Sequence, residues 1–334
     1  MPANLPPQYY ELERQFRGEK DPREKLRLAQ ELLALMPKHK GTDKLQADMK
    51  AKISKLKKSL AEGGQKGAGA AKAAALDHIE REGAGQVVLI GPPNSGKSSL
   101  LDALTNARPL IADYPYSTRE PMAGMMVYET IQIQLIDTPP ISPDLFETWM
   151  LGIIRNADLV CFVAGVSDDG VFEQTRFIFD RLRERRVVLV PAPPTEKSIE
   201  DAGIAYKRTI IAAHKIYEEG SEIRKQRLAE TYPGFVIIGT SILDDETLAG
   251  LKRVLFENLR IMRVYTKAIG HEADFSDPII LPREATVEDA ALVLHKDFAH
   301  KLQYARLWGK GKHNGLRVQK TYVLQDGDII EFHI

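Results

Sequence analysis

The eight residues Gly91-Pro92-Pro93-Asn94-Ser95-Gly96-Lys97-Ser98 constrain this chain more than any other stretch. They spell G-x-x-x-x-G-K-S, the pattern of a phosphate-binding P-loop. The apolar run Val87 to Ile90 before them reads as a buried strand, and Ser99 to Leu104 after them as the opening of a helix. That order places successive backbone N–H groups and a helix N-terminus around one point, which favours a bound anion. Lys97 is expected to reach the outer phosphates and the Ser98 hydroxyl to bind Mg2+. The candidate phosphate-binding set is therefore Gly91, Pro92, Pro93, Asn94, Ser95, Gly96, Lys97, Ser98 and Ser99.

The surroundings of the loop suit it. From Gln86 to about Lys267, apolar strands alternate with amphipathic helices, with strands predicted at 86–90, 125–128, 131–136, 159–164, 187–190 and 235–238. Several are continuous β-branched runs, as expected for strands covered on both faces. The alternation predicts an α/β domain with a mostly parallel sheet, its ligand at the carboxyl ends of the strands. Residues 195–231 are polar and read as helical, with Ile204, Ile210, Ile211, Ile216 and Tyr217 as candidate core contacts. A smaller α+β unit follows from Phe275, with a helix over 286–298 capped by Thr286-Val287-Glu288-Asp289 and short strands at 278–281, 304–308, 317–319, 323 and 329–333.

At the other end, Asp21-Pro22-Arg23-Glu24 reads as a helix start and is followed by Leu26, Ala29, Leu33 and Met36 at helical spacing. Pro37 and Gly41 break that pattern, and a second helix from Thr42 carries Leu45, Met49, Ile53, Leu56 and Leu60 on one face. This second arm is basic, with Lys38, Lys40, Lys44, Lys50, Lys52, Lys55, Lys57 and Lys58 against Asp43 and Asp48, and reads either as a solvated face or as a contact for RNA phosphates. Residues 61–75, rich in Gly, Ala and Lys, read as a linker. The expected organisation is a helical hairpin over 1–62, a linker over 63–84, a P-loop domain over 85–268 and a final domain over 273–334.

The 46 basic residues match the 46 acidic ones, so nucleic-acid contact would need a local patch. The single cysteine, Cys161, sits in an apolar run and reads as a small core residue, which suits a reducing cytoplasm. No stretch approaches the length of a membrane-spanning helix, and Met1-Pro2-Ala3-Asn4 lacks the layout of a signal peptide. A cytoplasmic protein with no membrane partner is expected; oligomeric state is not legible.

A nucleotide switch also needs a metal site and a sensor of the terminal phosphate. Gln134-Leu135-Ile136-Asp137-Thr138-Pro139-Pro140 is a strand ending in an aspartate, a position from which Asp137 can hold Mg2+. Between the two motifs, Thr118 in Asp113-Tyr114-Pro115-Tyr116-Ser117-Thr118-Arg119 is placed to close over Mg2+ and phosphate, with Ser117 as the competing hydroxyl. Ser98, Thr118 and Asp137 are the candidate metal ligands, and Lys97 and Thr118 the candidate catalytic residues.

These elements resemble the Obg branch of translation-factor-type GTPases, and within it the DRG (developmentally regulated GTP-binding) proteins. The resemblance covers most of the chain. Lys38–Leu60 resembles the basic hairpin of that group, residues 111–118 its first switch, and Arg263-Val264-Tyr265-Thr266-Lys267 the end of its G domain. Residues 274–281, 304–309 and 326–330 resemble its C-terminal TGS domain, a ubiquitin-like β-grasp fold. The resemblance implies a P-loop NTPase G domain of the α/β class between an N-terminal hairpin and a TGS domain. It also implies GTP or GDP as ligand, and a ribosome or rRNA partner through the basic hairpin and the TGS domain. Asn94 matches a P-loop asparagine that coordinates K+ in such enzymes, which adds K+ to the expected cofactors.

The chain departs from the family at three places. The family's D-x-x-G box ends here in Pro140, which has no N–H for the terminal phosphate. Ile141, next in line, is apolar, and the resembling GTPases likewise lack a water-orienting glutamine there. After the strand at 187–190, Pro191-Ala192-Pro193-Pro194 stands where the guanine-recognising N-K-x-D box is expected, and a family-typical insertion before the fifth strand is not apparent. Ser241, in Gly239-Thr240-Ser241-Ile242, holds the place of the last base-contacting loop. Two functions stay open: a slow Mg2+-dependent GTPase switch linked to the ribosome, or a degenerate GTPase serving as an adaptor with relaxed base specificity.

Overall fold

The structure, a computed structural model, describes residues 12, 22–35, 53, 79–105, 121–195, 203–309 and 312–334. The chain divides into two compact units, Met1–Ala75 and Leu76–Ile334. In the first, α1 (Pro22–Leu35) forms where the Pro-led start predicts it and buries Leu28, Ala29 and Leu32. Of the rest of the expected hairpin only Leu12 and Ile53 are described, both helical, and the lysines of the basic arm lie outside the described residues.

The second unit holds two sheets. The first has seven strands: β1 (Gln86–Ile90), β2 (Met122–Tyr128), β3 (Ile131–Asp137), β4 (Leu159–Gly165), β5 (Val187–Val190), β6 (Ala205–His214) and β7 (Val236–Thr240). Their order is β2-β3-β1-β4-β6. The first half of β6 then pairs with β5 and the second half with β7. All pairs are parallel except β2–β3. The helices of this part are α2 (Lys97–Leu104), α3 (Met150–Asn156), α4 (Gly170–Glu184), α5 (Ser221–Thr231) and α6 (Asp245–Leu259).

The strands are apolar throughout because both faces are covered. Val88, Ile90, Val160, Phe162 and Ala164 face α3, α4 and α5 through Ile153, Ile178 and Leu228. Val87, Leu89, Leu159, Cys161 and Val163 face α2 and α6 through Leu100, Leu104, Leu251 and Leu255. Period-two alternation thus divides one apolar run between two cores, and burying each such side chain fully stabilises by about 1.5–3 kcal/mol. Cys161 is fully buried, and burial pushes its thiol up to about 12, so it is an inert core residue.

Residues 205–214, read from sequence as helical, form the interior strand β6. The reading failed because Ile204, Ile210, Ile211 and Ile216 suggest a helical face, whereas Ile210 and Ile211 are adjacent residues that enter opposite cores. Among the described residues of that stretch, only Ser221–Thr231 is helix. Residues 79–84, expected in the linker, are bound to the first sheet: the Ala84 N–H donates to Gln132 O at 2.7 Å, and Arg81 pairs with Asp158 at 3.0 Å.

The second sheet has the order β11 (Lys312–Val318), β10 (Tyr304–Gly309), β12 (Asp328–His333), β8 (Ile261–Lys267), β9 (Ala273–Pro282). β8 and β12 are parallel and the other pairs antiparallel. Strand β8 contains Arg263–Lys267, assigned from sequence to the end of the first domain; its partners β9 and β12 put it in the second sheet. The apolar face of this sheet is covered by α7 (Val287–Leu294) and α8 (Lys296–Lys301), two helices where one was expected. Thr286 caps α7 in a reciprocal box with Asp289, as its sequence predicts.

Arg263 joins the two sheets. Its guanidinium donates to Asp326 at 3.0 Å and 2.7 Å, pairs with Glu129 in the β2–β3 turn, and lies 4.8 Å from the Phe256 ring of α6. Nearby, Thr130 and Tyr265 share a 2.8 Å hydrogen bond. Burial alone would raise the Asp326 carboxyl, but the bonds from Arg263 outweigh it and hold the group below its ordinary range. A depressed carboxyl stabilises the fold above its unfolded-state value and loses that contribution as pH falls through its folded value. Asp326→Asn is therefore expected to lower the urea-unfolding free energy by about 1–2 kcal/mol at pH 7. The gap to wild type should close as pH falls below about 4.

Candidate nucleotide-binding site

β1 ends at Ile90, and the loop Gly91–Gly96 turns the chain into α2. Two glycines are demanded by space. A Cβ on Gly91 would lie 2.5 Å from Val163 O, and Gly96, at φ +96°, would bring one to 2.3 Å from the His214 ring. Gly96 is the N-cap residue of α2, so the helix begins at Lys97 with its free amides toward the loop. Asn94 also has positive φ, 58°, a conformation Asn tolerates better than most residues.

Lys97 is buried, and its ammonium donates to Gly91 O at 3.2 Å and Pro92 O at 3.0 Å. Burial lowers it to about 8, against the opposing influence of Asp137. The Ser98 hydroxyl donates to Asp137 Oδ2 at 2.5 Å, while Asp137 Oδ1 and Ser95 Oγ are buried without a partner. Burial also raises the Asp137 carboxyl. An ammonium, an unpartnered hydroxyl and an orphaned carboxylate oxygen converge here. That donor set fits a phosphate chain with Mg2+, a cation that takes oxygen ligands. The structure thus brings Lys97, Ser98 and Asp137 together. Ser99 is exposed on the first turn of α2 and Pro93 on the loop. Thr118, and Ser117 with it, lies outside the described residues.

The segment after Asp137 is tied to the loop. The neighbouring Thr138 backbone favours the charged Asp137 carboxylate, and the Thr138 hydroxyl donates to Leu89 O at 2.8 Å. Pro139 and Pro140 have no N–H, and the Ile141 N–H donates to Gly91 O at 3.1 Å. From Pro139 to Ile141 every backbone donor is thereby absent or engaged, and Ile141 is itself buried.

The proline run after β5, where a base-recognition box was sought, is not the segment beside the loop. β5 pairs with the far half of β6, whereas the end of β6 lies between β4 and β7 and faces the loop. The residues there are His214-Lys215-Ile216-Tyr217, in which only Lys215 matches N-K-x-D. The buried His214 packs against Gly96 and shares a 3.0 Å hydrogen bond with Thr240 Oγ1; burial, with Lys215 adding to it, lowers the imidazole to about 4, so it is neutral. The continuous run Thr209 to Ala213 followed by His-Lys was the missed signal. Ser241 lies at the end of β7, but its N–H donates to Thr247 Oγ1 at 3.0 Å and its hydroxyl accepts from the Leu243 N–H at 3.1 Å.

Gly96→Ala is expected to weaken nucleotide binding about tenfold or more, because the strained φ and the His214 contact cost about 1–3 kcal/mol. Titration with a fluorescent GDP, beside circular-dichroism melting to confirm folding, checks this.

Comparison with known proteins agrees with the geometry. The family model described as 50S ribosome-binding GTPase matches residues 86–191, and the TGS domain model matches residues 262–334. An uncharacterized GTP-binding protein of Methanocaldococcus jannaschii is 28% identical, covering 92% of this chain and 91% of its own. The developmentally-regulated GTP-binding protein 1 homolog of Dictyostelium discoideum is 26% identical over 92% of this chain and 98% of its own. Ribosome-interacting GTPase 1 of Saccharomyces cerevisiae is 23% identical over 92% and 97%. No described helix is long and apolar enough to cross a membrane. The chain combines a P-loop GTPase G domain with a C-terminal TGS domain, and its relatives over nearly the whole length include developmentally regulated GTP-binding proteins.

Proposed function

We propose that this protein is a Mg2+-dependent nucleotide-binding switch that takes GTP, hydrolyses it slowly and acts on the ribosome or its RNA. The observation that carries this is the meeting of the buried Lys97 ammonium with Ser98 and the half-satisfied Asp137 carboxylate. Bound there, Mg2+ would neutralise phosphate charge, held by Ser98 and Asp137. Lys97 would exchange its carbonyl partners for phosphate oxygens, and the α2 amides would hold the phosphates in line. Thr118 remains the candidate third ligand. The ribosome assignment rests on the TGS domain, on the yeast relative's name and on the basic run Lys50 to Lys58.

A second reading, a non-hydrolysing adaptor, is favoured by one observation: the Ile141 N–H bond to Gly91 O holds the segment after Asp137 against the loop. Phosphate release separates the two. On the switch reading, GTP turnover requires Mg2+, rises when K+ replaces Na+ through Asn94, and disappears in Lys97→Ala. Turnover at the Lys97→Ala level in every salt favours the adaptor. For the partner, ribosome co-sedimentation should weaken steeply with salt, and weaken further when Lys50, Lys52, Lys55, Lys57 and Lys58 become Glu. Salt-insensitive binding unchanged by those substitutions removes the basic arm from the contact.

A further inference from the structure

The phosphate cradle lies at the end of β1, and Asp137 lies at the end of β3 on one side of it. On the other side the parallel strands β4, β6 and β7 end along the same edge. A ligand of an open α/β sheet lies across such strand ends. With the metal side defined by Asp137, the rest of a nucleotide extends over the loops that follow β4, β6 and β7. These loops form one surface. The Val166 N–H donates to His214 O at 2.9 Å and the Ile216 N–H to Thr240 O at 3.2 Å. Arg224 holds Val166 O and Ser167 O, both at 2.8 Å.

Guanine presents its ring N–H and amino group as neighbouring donors, which a carboxylate accepts together; adenine presents a ring acceptor beside its amino group. Selecting guanine therefore calls for a carboxylate held at the edge of the base. Asp168, Asp169, Glu222 and Asp244, the carboxylates on the elements flanking this surface, have other partners. Asp168 accepts from the Gly170 N–H at 2.9 Å. Asp169 is 3.9 Å from Arg227, and Glu222 is 2.6 Å from Lys225. Asp244 caps α6. Glu218 and Glu219 are exposed in the turn before α5. Ser241 spends its N–H and hydroxyl inside its own turn. The match to the GTPase family model ends at residue 191, before β6 begins.

The surface has exposed rings and hydrocarbon instead. Tyr217 is 53% exposed on the loop after β6, and Ile242 at 40% and Leu243 at 75% are exposed on the neighbouring loop after β7. An exposed aromatic beside a phosphate cradle offers a face for stacking, and stacking does not distinguish one purine from another. We propose that the base is held by stacking on Tyr217, flanked by Ile242 and Leu243, so that the site takes guanine and adenine nucleoside diphosphates and triphosphates alike. Tyr217 is then the residue that sets base choice. This rests on the nucleotide-binding reading and adds to it the class of nucleotide accepted.

Calorimetry of the full chain with Mg2+ and GDP, ADP or their non-hydrolysable triphosphate analogues tests the proposal. The expected result is guanine and adenine affinities within about threefold of each other. Tyr217→Ala should weaken both in parallel, and Tyr217→Asp should shift the ratio toward GDP by about tenfold or more. The double variant Glu218→Gln, Glu219→Gln should leave the ratio unchanged. Wild-type preference for GDP over ADP by about thirtyfold or more overturns base indifference while leaving the phosphate site standing. Undiminished binding by Tyr217→Ala overturns the stacking role, and binding of neither nucleotide overturns the nucleotide reading as well.

Discussion

A buried ammonium group governs one end of the first sheet. Burying a charge is costly unless partners replace water. Lys97 meets that cost with two loop carbonyls and the nearby Asp137 carboxylate. Both the helix that carries Lys97 and the strand that carries Asp137 must therefore be correctly placed, which ties α2, β1 and β3 together. An anion brought to the same point would complete the compensation, because helix amides and ammonium already face it. The unpartnered Ser95 and Asp137 oxygens mark where that arrangement is incomplete.

Around this centre the loop is held from two sides, and the two sides differ in kind. On the β3 side, Ile141 and Thr138 bond backbone carbonyls of Gly91 and Leu89, so the acidic strand end and its prolines are docked by main-chain contacts. On the β6 side, a neutral imidazole packs against Gly96 and bonds Thr240. The phosphate pattern is complete in sequence, whereas the neighbours that would couple it to phosphate state and to base identity are altered. That combination suits a protein retaining the phosphate cradle while departing at its two readouts.

Much of the fold was legible because its signals are local. The P-loop spacing, the strand–loop–helix context, the Asp137 strand end and the Thr286–Asp289 cap each reside within a few residues. The reading failed where neighbours far apart in sequence decide the outcome. Ala205–His214 is a strand because β4, β5 and β7 surround it, and its apolar half serves two cores at once. Mistaking it for helix drew attention to the proline run after β5 instead of to His214–Tyr217 at the end of β6. Arg263 likewise shows no local sign that Asp326 and Glu129, 63 and 134 positions away, complete its bonds.

By itself the sequence determined the phosphate chemistry of this protein, because backbone N–H groups, glycine freedom and one lysine act within eight consecutive residues. It also determined the two-part character of the chain from Gln86 onward, through hydrophobic period. Only the tertiary structure decided which strand lies beside β4, and hence that His214, Lys215 and Tyr217 stand at the sheet edge across from Asp137. Strand order in a parallel sheet is set by packing between segments joined through helices, and no local pattern along the chain encodes it.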